Sequence, residues 1–189
     1  MPPPAALIII DMQQGMQFDA LPPRNNPHAE DRIAHLHAAW RQAGHPIVSV
    51  RHISRSPTSV FAPGQPGVLF QERFQPRDRE HVVEKNVPDA FINTGLERWL
   101  RVRGIGDVVI VGVSTNNSVE STARTAGNLG FATTVVADAT FAFEKTDFNG
   151  TLRCADDVHA MALANLHGEY AEVMSCAEVL RRCALASPG

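Results

Sequence analysis

The sequence predicts an α/β fold of three layers, α/β/α, with helices on both faces of a mostly parallel sheet, and three observations lead there. Six short apolar runs rich in Val and Ile recur along the chain with little polar alternation, as in strands covered on both faces. Segments of helical apolar period separate them. This alternation implies right-handed crossovers between parallel strands. At 189 residues and 44% apolar content the chain can bury one sizeable core without disulfides or a structural metal, so a single domain over 1–189 is expected.

The candidate strands are Ala6 to Ile10, Ile47 to Val50, His81 to Val83, Val108 to Val111, Thr133 to Val136 and Ala171 to Met174. Residues 30–43 place Ile33, Leu36, His37 and Trp40 on one helical face and stop before Gly44, a C-cap candidate. Further helices are expected from Gly95 to Val102, broken at Gly104, over 118–129 and 155–166, and from about Cys176 to Cys183. Residues 52–80 break the pattern with Pro57, Pro63, Gly64, Pro66, Gly67 and Pro76. A loop of that length in a compact domain is usually a lid or a binding loop. Apart from a short proline-rich start, no repeat, linker or low-complexity segment stands out.

The net charge is -3 with a pI near 6.2, and no Lys/Arg run exceeds a pair. Such a chain carries no electrostatic footprint for nucleic acid or an anionic membrane, which leaves a small molecule as the expected partner. Cys154, Cys176 and Cys183 lack CxxC spacing, and their odd number fits reduced thiols and a cytoplasmic location. The apolar run that follows the first prolines is too short for a signal peptide or a membrane span, and reads as the first strand.

In open α/β sheets ligands bind beyond the carboxyl ends of the strands. Three residues hold that position: Asp11 after the first run, Lys85 after the third, and Ser118 beyond the fourth. Singly, each has an ordinary reading: a turn hydrogen bond for Asp11, solvent for Lys85, a helix N-cap for Ser118. Together they can form a proton-transfer group, an orienting cation and a nucleophile. Lys85 would hold Asp11 ionised, and the helix opening near Ser118 would aim backbone N–H groups at an oxyanion.

The segments carrying these residues are LIIIDMQ at 7–13, VEK at 83–85 and GVSTNNSVESTAR at 112–124. In this order and spacing they resemble the signature segments of isochorismatase-like hydrolases, the cysteine hydrolase superfamily. The likeness continues through AGNLGF at 126–131, VVADAT at 135–140 and HAMALANLHGEY at 159–170. It implies a Rossmann-like fold with a six-stranded parallel sheet, hydrolysis of C–N bonds in small amides or ureides by a Cys-Asp-Lys triad, and assembly as a dimer or larger homo-oligomer. It also implies a non-proline cis peptide, here between Val113 and Ser114, with the backbone N–H groups of Ser114 and Ser118 facing the substrate oxygen.

The family's nucleophilic cysteine falls on Ser118. A thiol is readily ionised near neutrality, whereas a serine must lose its proton to a base during attack. Three readings stay open: a reactive natural serine, an engineered Cys-to-Ser change that traps substrate, or chemistry without a nucleophile. The third resembles the isochorismatases proper, which hydrolyse a vinyl ether with the aspartate as general acid. A catalytically silent binding protein is the rival class. A dinucleotide-binding protein is disfavoured, because DMQQGM rather than GxGxxG follows the first strand.

Metal-dependent members such as nicotinamidases carry an Asp-x-His pair after the second strand. This chain has RHIS at 51–54, and a lone His52 cannot build a metal site, so neither metal nor cofactor is expected. Phe18, His52, Phe61, Phe91 and Asn117 are candidate substrate-pocket residues. His159 and His167 are expected in structural roles, and neither Cys154 nor Cys176 is expected to replace the nucleophile.

Overall fold

A computed structural model of the chain describes residues 4–186; the first three residues of the proline-rich start and the last three of the chain lie outside the described residues. The first apolar run forms β1, Ala6–Ile10, with all five residues buried. Helix α1, Ala29–Ala43, then leads to β2, Ile47–His52. It ends as its sequence suggests: Gly44 adopts φ 66° and returns its N–H to the carbonyls of Trp40 and Arg41. After a long connection come β3, His81–Lys85, α2, Leu96–Val102, and β4, Asp107–Val113. A wide helical turn, Thr115–Val119, runs into α3, Glu120–Asn128, and β5, Ala132–Phe141. A two-stranded hairpin, β6, Lys145–Thr146, and β7, Leu152–Arg153, precedes α4, Ala155–Leu166. The described chain closes with β8, Glu172–Met174, and α5, Cys176–Ala186.

Six strands form one parallel sheet in the order β3-β2-β1-β4-β5-β8. The period-two geometry of β1 divides its side chains between two cores. Ala6, Ile8 and Ile10 join Leu96, Leu100, Ala123, Ala126 and Leu166 from α2, α3 and α4. On the other face Leu7 and Ile9 join Ile33, Leu36 and Trp40 from α1 with Cys176 and Val179 from α5. This is the expected three-layer α/β/α architecture. Each large side chain so buried contributes about 1.5–3 kcal/mol of transfer free energy, and the Trp40 indole donates to the Ala5 carbonyl at 2.9 Å rather than bury an unpaired N–H.

The chain reverses direction of travel across the sheet between β1 and β4, which is the topological switch point where such sheets open a crevice. Gly112 sets the closeness of these two strands. A Cβ there would lie 2.1 Å from the Ile10 carbonyl oxygen, and its φ of 117° is one that side chains rarely adopt. Among the described residues no helix is long and apolar enough to cross a membrane.

Candidate active site

Asp11 leaves β1 with φ 51°, a left-handed conformation that is rare and costly for a residue with a side chain. Its N–H still donates to Val50 of β2 at 3.0 Å, and its carbonyl accepts from Gln13 at 2.7 Å, so the turn is held from both sides. Lys85 ends β3 and is 2% exposed. Its Nζ donates to Asp11 Oδ2 at 2.7 Å and to Ser118 Oγ at 3.1 Å. Three residues from stretches separated by 74 and 33 positions therefore meet at one ammonium.

Burial raises the Asp11 pKa above the ordinary carboxylate value, against the opposing pull of the Lys85 ammonium. Lys85 favours the Asp11 anion through its charge and its hydrogen bond, while desolvation of the buried carboxyl works against it. Asp11 Oδ1 is buried and makes no hydrogen bond. That oxygen is a free acceptor beside a hydroxyl already fixed by a donor.

Ser118 lies inside the wide turn rather than capping α3, and the turn's N-terminal flank, Ser114, makes no side-chain cap. The Ser114 carbonyl accepts from the N–H groups of Asn117 at 3.1 Å and Val119 at 3.2 Å, and the Val113–Ser114 bond is cis. Asn117 is exposed on the outside of this turn.

His52 ends β2 beside Lys85 in register. Burial, and then the Lys85 ammonium, lower its pKa, so the ring beside the site is neutral near pH 7. Phe61 meets it edge-on with ring centroids 6.2 Å apart. The Phe61 ring also lies where a Cβ on Gly15 would stand, 2.6 Å from it, so a bare glycine seats this wall. Phe18 is partly exposed just after the short turn Gln14–Gln17. Phe91 is placed in the core, 8% exposed, with its ring 5.8 Å from that of Phe131. Among the described residues no three His, Cys, Asp or Glu side chains group closely enough to share a metal ion.

One organising residue has no strong signature in the sequence. Gln13 is fully buried; its Nε2 donates to the carbonyls of His52 and Val68, both at 3.0 Å, and its Oε1 accepts from the His52 N–H at 2.8 Å. Gln71 Nε2 donates to the Gln13 carbonyl at 3.2 Å, its N–H donates to the Met12 carbonyl, and Gln14 N–H donates to the Leu69 carbonyl. The 52–80 connection is thus stapled to the end of β1 as a fixed wall containing two short helical turns, Pro66–Val68 and Glu72–Phe74.

The molecule is thus a doubly wound α/β protein with a carboxyl, an ammonium and a hydroxyl gathered at the carboxyl edge of its parallel sheet. The isochorismatase domain model matches residues 5–178. The isochorismatase family protein YrdC of Bacillus subtilis is 37% identical over 175 residues, covering 93% of this chain and 94% of its own. Nicotinamidase 3 of Arabidopsis thaliana is 31% identical over 194 residues, covering 96% and 89%. A crystal structure of an isochorismatase-family chain from Chromobacterium violaceum superposes with a TM-score of 0.93 at 48% identity, covering 96% of this chain and 94% of that one. The chain belongs to the isochorismatase family of hydrolases.

Proposed function

We propose that this hydrolase cleaves a C–N bond in a small amide, ureide or related compound, with Ser118 as nucleophile, Asp11 as proton carrier and Lys85 as the cation that orients both. The observation that carries the reading is the Lys85 ammonium held between Asp11 Oδ2 and Ser118 Oγ in a buried site. The Ser118 oxygen accepts from Lys85, which leaves its own hydrogen available to the unpaired Asp11 Oδ1. Attack forms the O–C bond while that proton passes to Asp11. The tetrahedral oxyanion is met by the backbone N–H groups of Ser114 and Ser118. Collapse breaks the C–N bond, Asp11 returns the proton to the leaving nitrogen, and water then hydrolyses the serine ester to free acid and regenerated hydroxyl. The raised Asp11 pKa suits this exchange, because a carboxylate of higher pKa is the better base for a hydroxyl. His52 and Phe61 form the neutral, partly apolar wall beside the reacting carbonyl.

The same raised pKa favours a second reading, in which protonated Asp11 is the general acid of vinyl ether hydrolysis and Ser118 only holds water. Screening the purified protein against nicotinamide, carbamoyl, ureido and isochorismate-type compounds, with ammonia and product detection, separates the two. Ammonia or amine release supports the first; turnover confined to the isochorismate type supports the second. Their acid limbs also differ in sign. A base must be ionised, so amide turnover falls as pH drops through the raised Asp11 pKa, whereas turnover by a general acid falls as pH rises through it.

A further inference from the structure

Behind the Ser118 turn lies a second buried polar group that the proposed chemistry does not use. Thr115, the first residue of the turn, is fully buried, and its Oγ1 stands 2.8 Å from Nδ1 of His159, itself 8% exposed on α4. On the far side of the ring, Asn26 Nδ2 approaches Nε2 at 3.4 Å. Both Asn26 amide hydrogens have better partners, the carbonyls of Thr140 at 2.7 Å and Ala137 at 2.9 Å near the end of β5. The short bond of the imidazole is therefore the one to Thr115. Burial, opposed by Asp156 and by a ring hydrogen bond to the Ala137 backbone, lowers the His159 pKa and favours a neutral ring, whose Nδ1 pairs with the Thr115 hydroxyl.

A buried hydroxyl that loses its partner must move or go unpaired, at a cost comparable to a lost hydrogen bond. Thr115 is three residues from Ser118 in the same turn, so a displacement there is carried to the hydroxyl facing Lys85. We infer that His159 is a positioning residue: through Thr115 it sets where the Ser118 side chain stands relative to Lys85 and Asp11. This rests on the reading of Ser118 as the reacting group.

The test uses matched pairs. Asn at 159 can present a polar atom near the Nδ1 position, and Leu cannot; Ser at 115 keeps the hydroxyl, and Val removes it. His159→Leu and Thr115→Val are expected to lower kcat on an amide substrate by about 10- to 100-fold with KM within about twofold, the signature of a misplaced group. His159→Asn and Thr115→Ser are expected to recover most of the loss. A second readout is independent of turnover: in a Ser118→Cys background, the alkylation rate of the new thiol, resolved from the native cysteines by peptide mass mapping, should shift by about tenfold with His159→Leu and not with His159→Asn. Unchanged kcat and alkylation with only a lower Tm would make His159 purely structural and overturn the inference, as would His159→Asn behaving like His159→Leu. If the wild-type protein turns over no amide, the proposed function fails, and the alkylation series alone decides the role of His159.

Discussion

Two ion pairs, one half-buried and one fully buried, stand on different elements of this fold and differ in how completely they are satisfied. Beside α1, Glu80 receives Arg41 through Nε at 2.6 Å and Nη2 at 2.9 Å and accepts the Arg77 N–H at 2.9 Å, while Arg41 also donates to the Gln75 carbonyl. Burial works against the Glu80 anion, but the hydrogen bonds from Arg41 and Arg77 outweigh it and hold the pKa below the usual carboxylate value. At the sheet's switch point Asp11 has one cation on one oxygen, nothing on the other, and a pKa pushed up. A satisfied pair is a structural clasp. Under the proposed function, an under-satisfied pair beside a hydroxyl takes and returns a proton, and its desolvation is a cost borne for that purpose.

The contrast can be broken from either side. Asp11→Asn should remove turnover by about 100- to 10,000-fold, the range attributed to a positioned proton-transfer group, as measured by steady-state kinetics on any substrate the screen yields. Glu80→Gln should leave turnover within twofold and instead lower the unfolding free energy by about 2 kcal/mol in a urea titration, because Arg41 loses its charged acceptor. A variant at position 80 that abolished activity, or one at position 11 that left it intact, would erase the distinction.

A smaller effect sharpens the structural side. His37 packs beside Glu80 at 3.7 Å, and burial followed by the Arg41 charge lowers its pKa to about 4 from 6.5. Between those values the unfolded chain binds the proton and the folded one does not, so stability falls as pH drops from 6.5 toward 4. His37→Gln should flatten that part of the stability curve by about 1–2 kcal/mol between pH 7 and 4, read from denaturant midpoints across the range.

The strands were legible where burial on both faces makes a run apolar. Ala6–Ile10 is recovered to the residue, and β2 and β3 extend past their apolar runs by two residues each, His52 and Lys85 of the candidate site among them. Those extensions end in Arg51, His52, Glu84 and Lys85, whose polarity hides their strand geometry from an apolar pattern. Helix α3 begins two residues later than expected, because Ser118 belongs to the wide turn that precedes it. The β6–β7 hairpin gave no signal, since it buries none of its four residues and is shaped by Asp147, which accepts the N–H groups of Asn149 and Thr151.

In the candidate site, Asp11, Lys85 and Ser118 could be chosen because each follows an apolar strand, a feature visible in one dimension. Their convergence needed the strand order, which no local pattern encodes. Gln13 and Thr115 went unnoticed for a different reason: a buried amide or hydroxyl is distinguished from an exposed one only by its partners, and theirs are 39 or more positions away. The 52–80 segment reads as a lid or a binding loop from its prolines and glycines, and the bonds of Gln13 and Gln71 that hold it to the end of β1 have no local signature. His37 was legible, since it shares the helical face of Ile33, Leu36 and Trp40.

The most direct test of the site is the mass of the protein quenched during amide turnover. An acyl adduct on the peptide containing Ser118, absent when Asp11→Asn is treated in the same way, is the expected result. Sustained turnover with no adduct at any quench time, confirmed by trapping with a serine-directed electrophile that also leaves Ser118 unmodified, would contradict it.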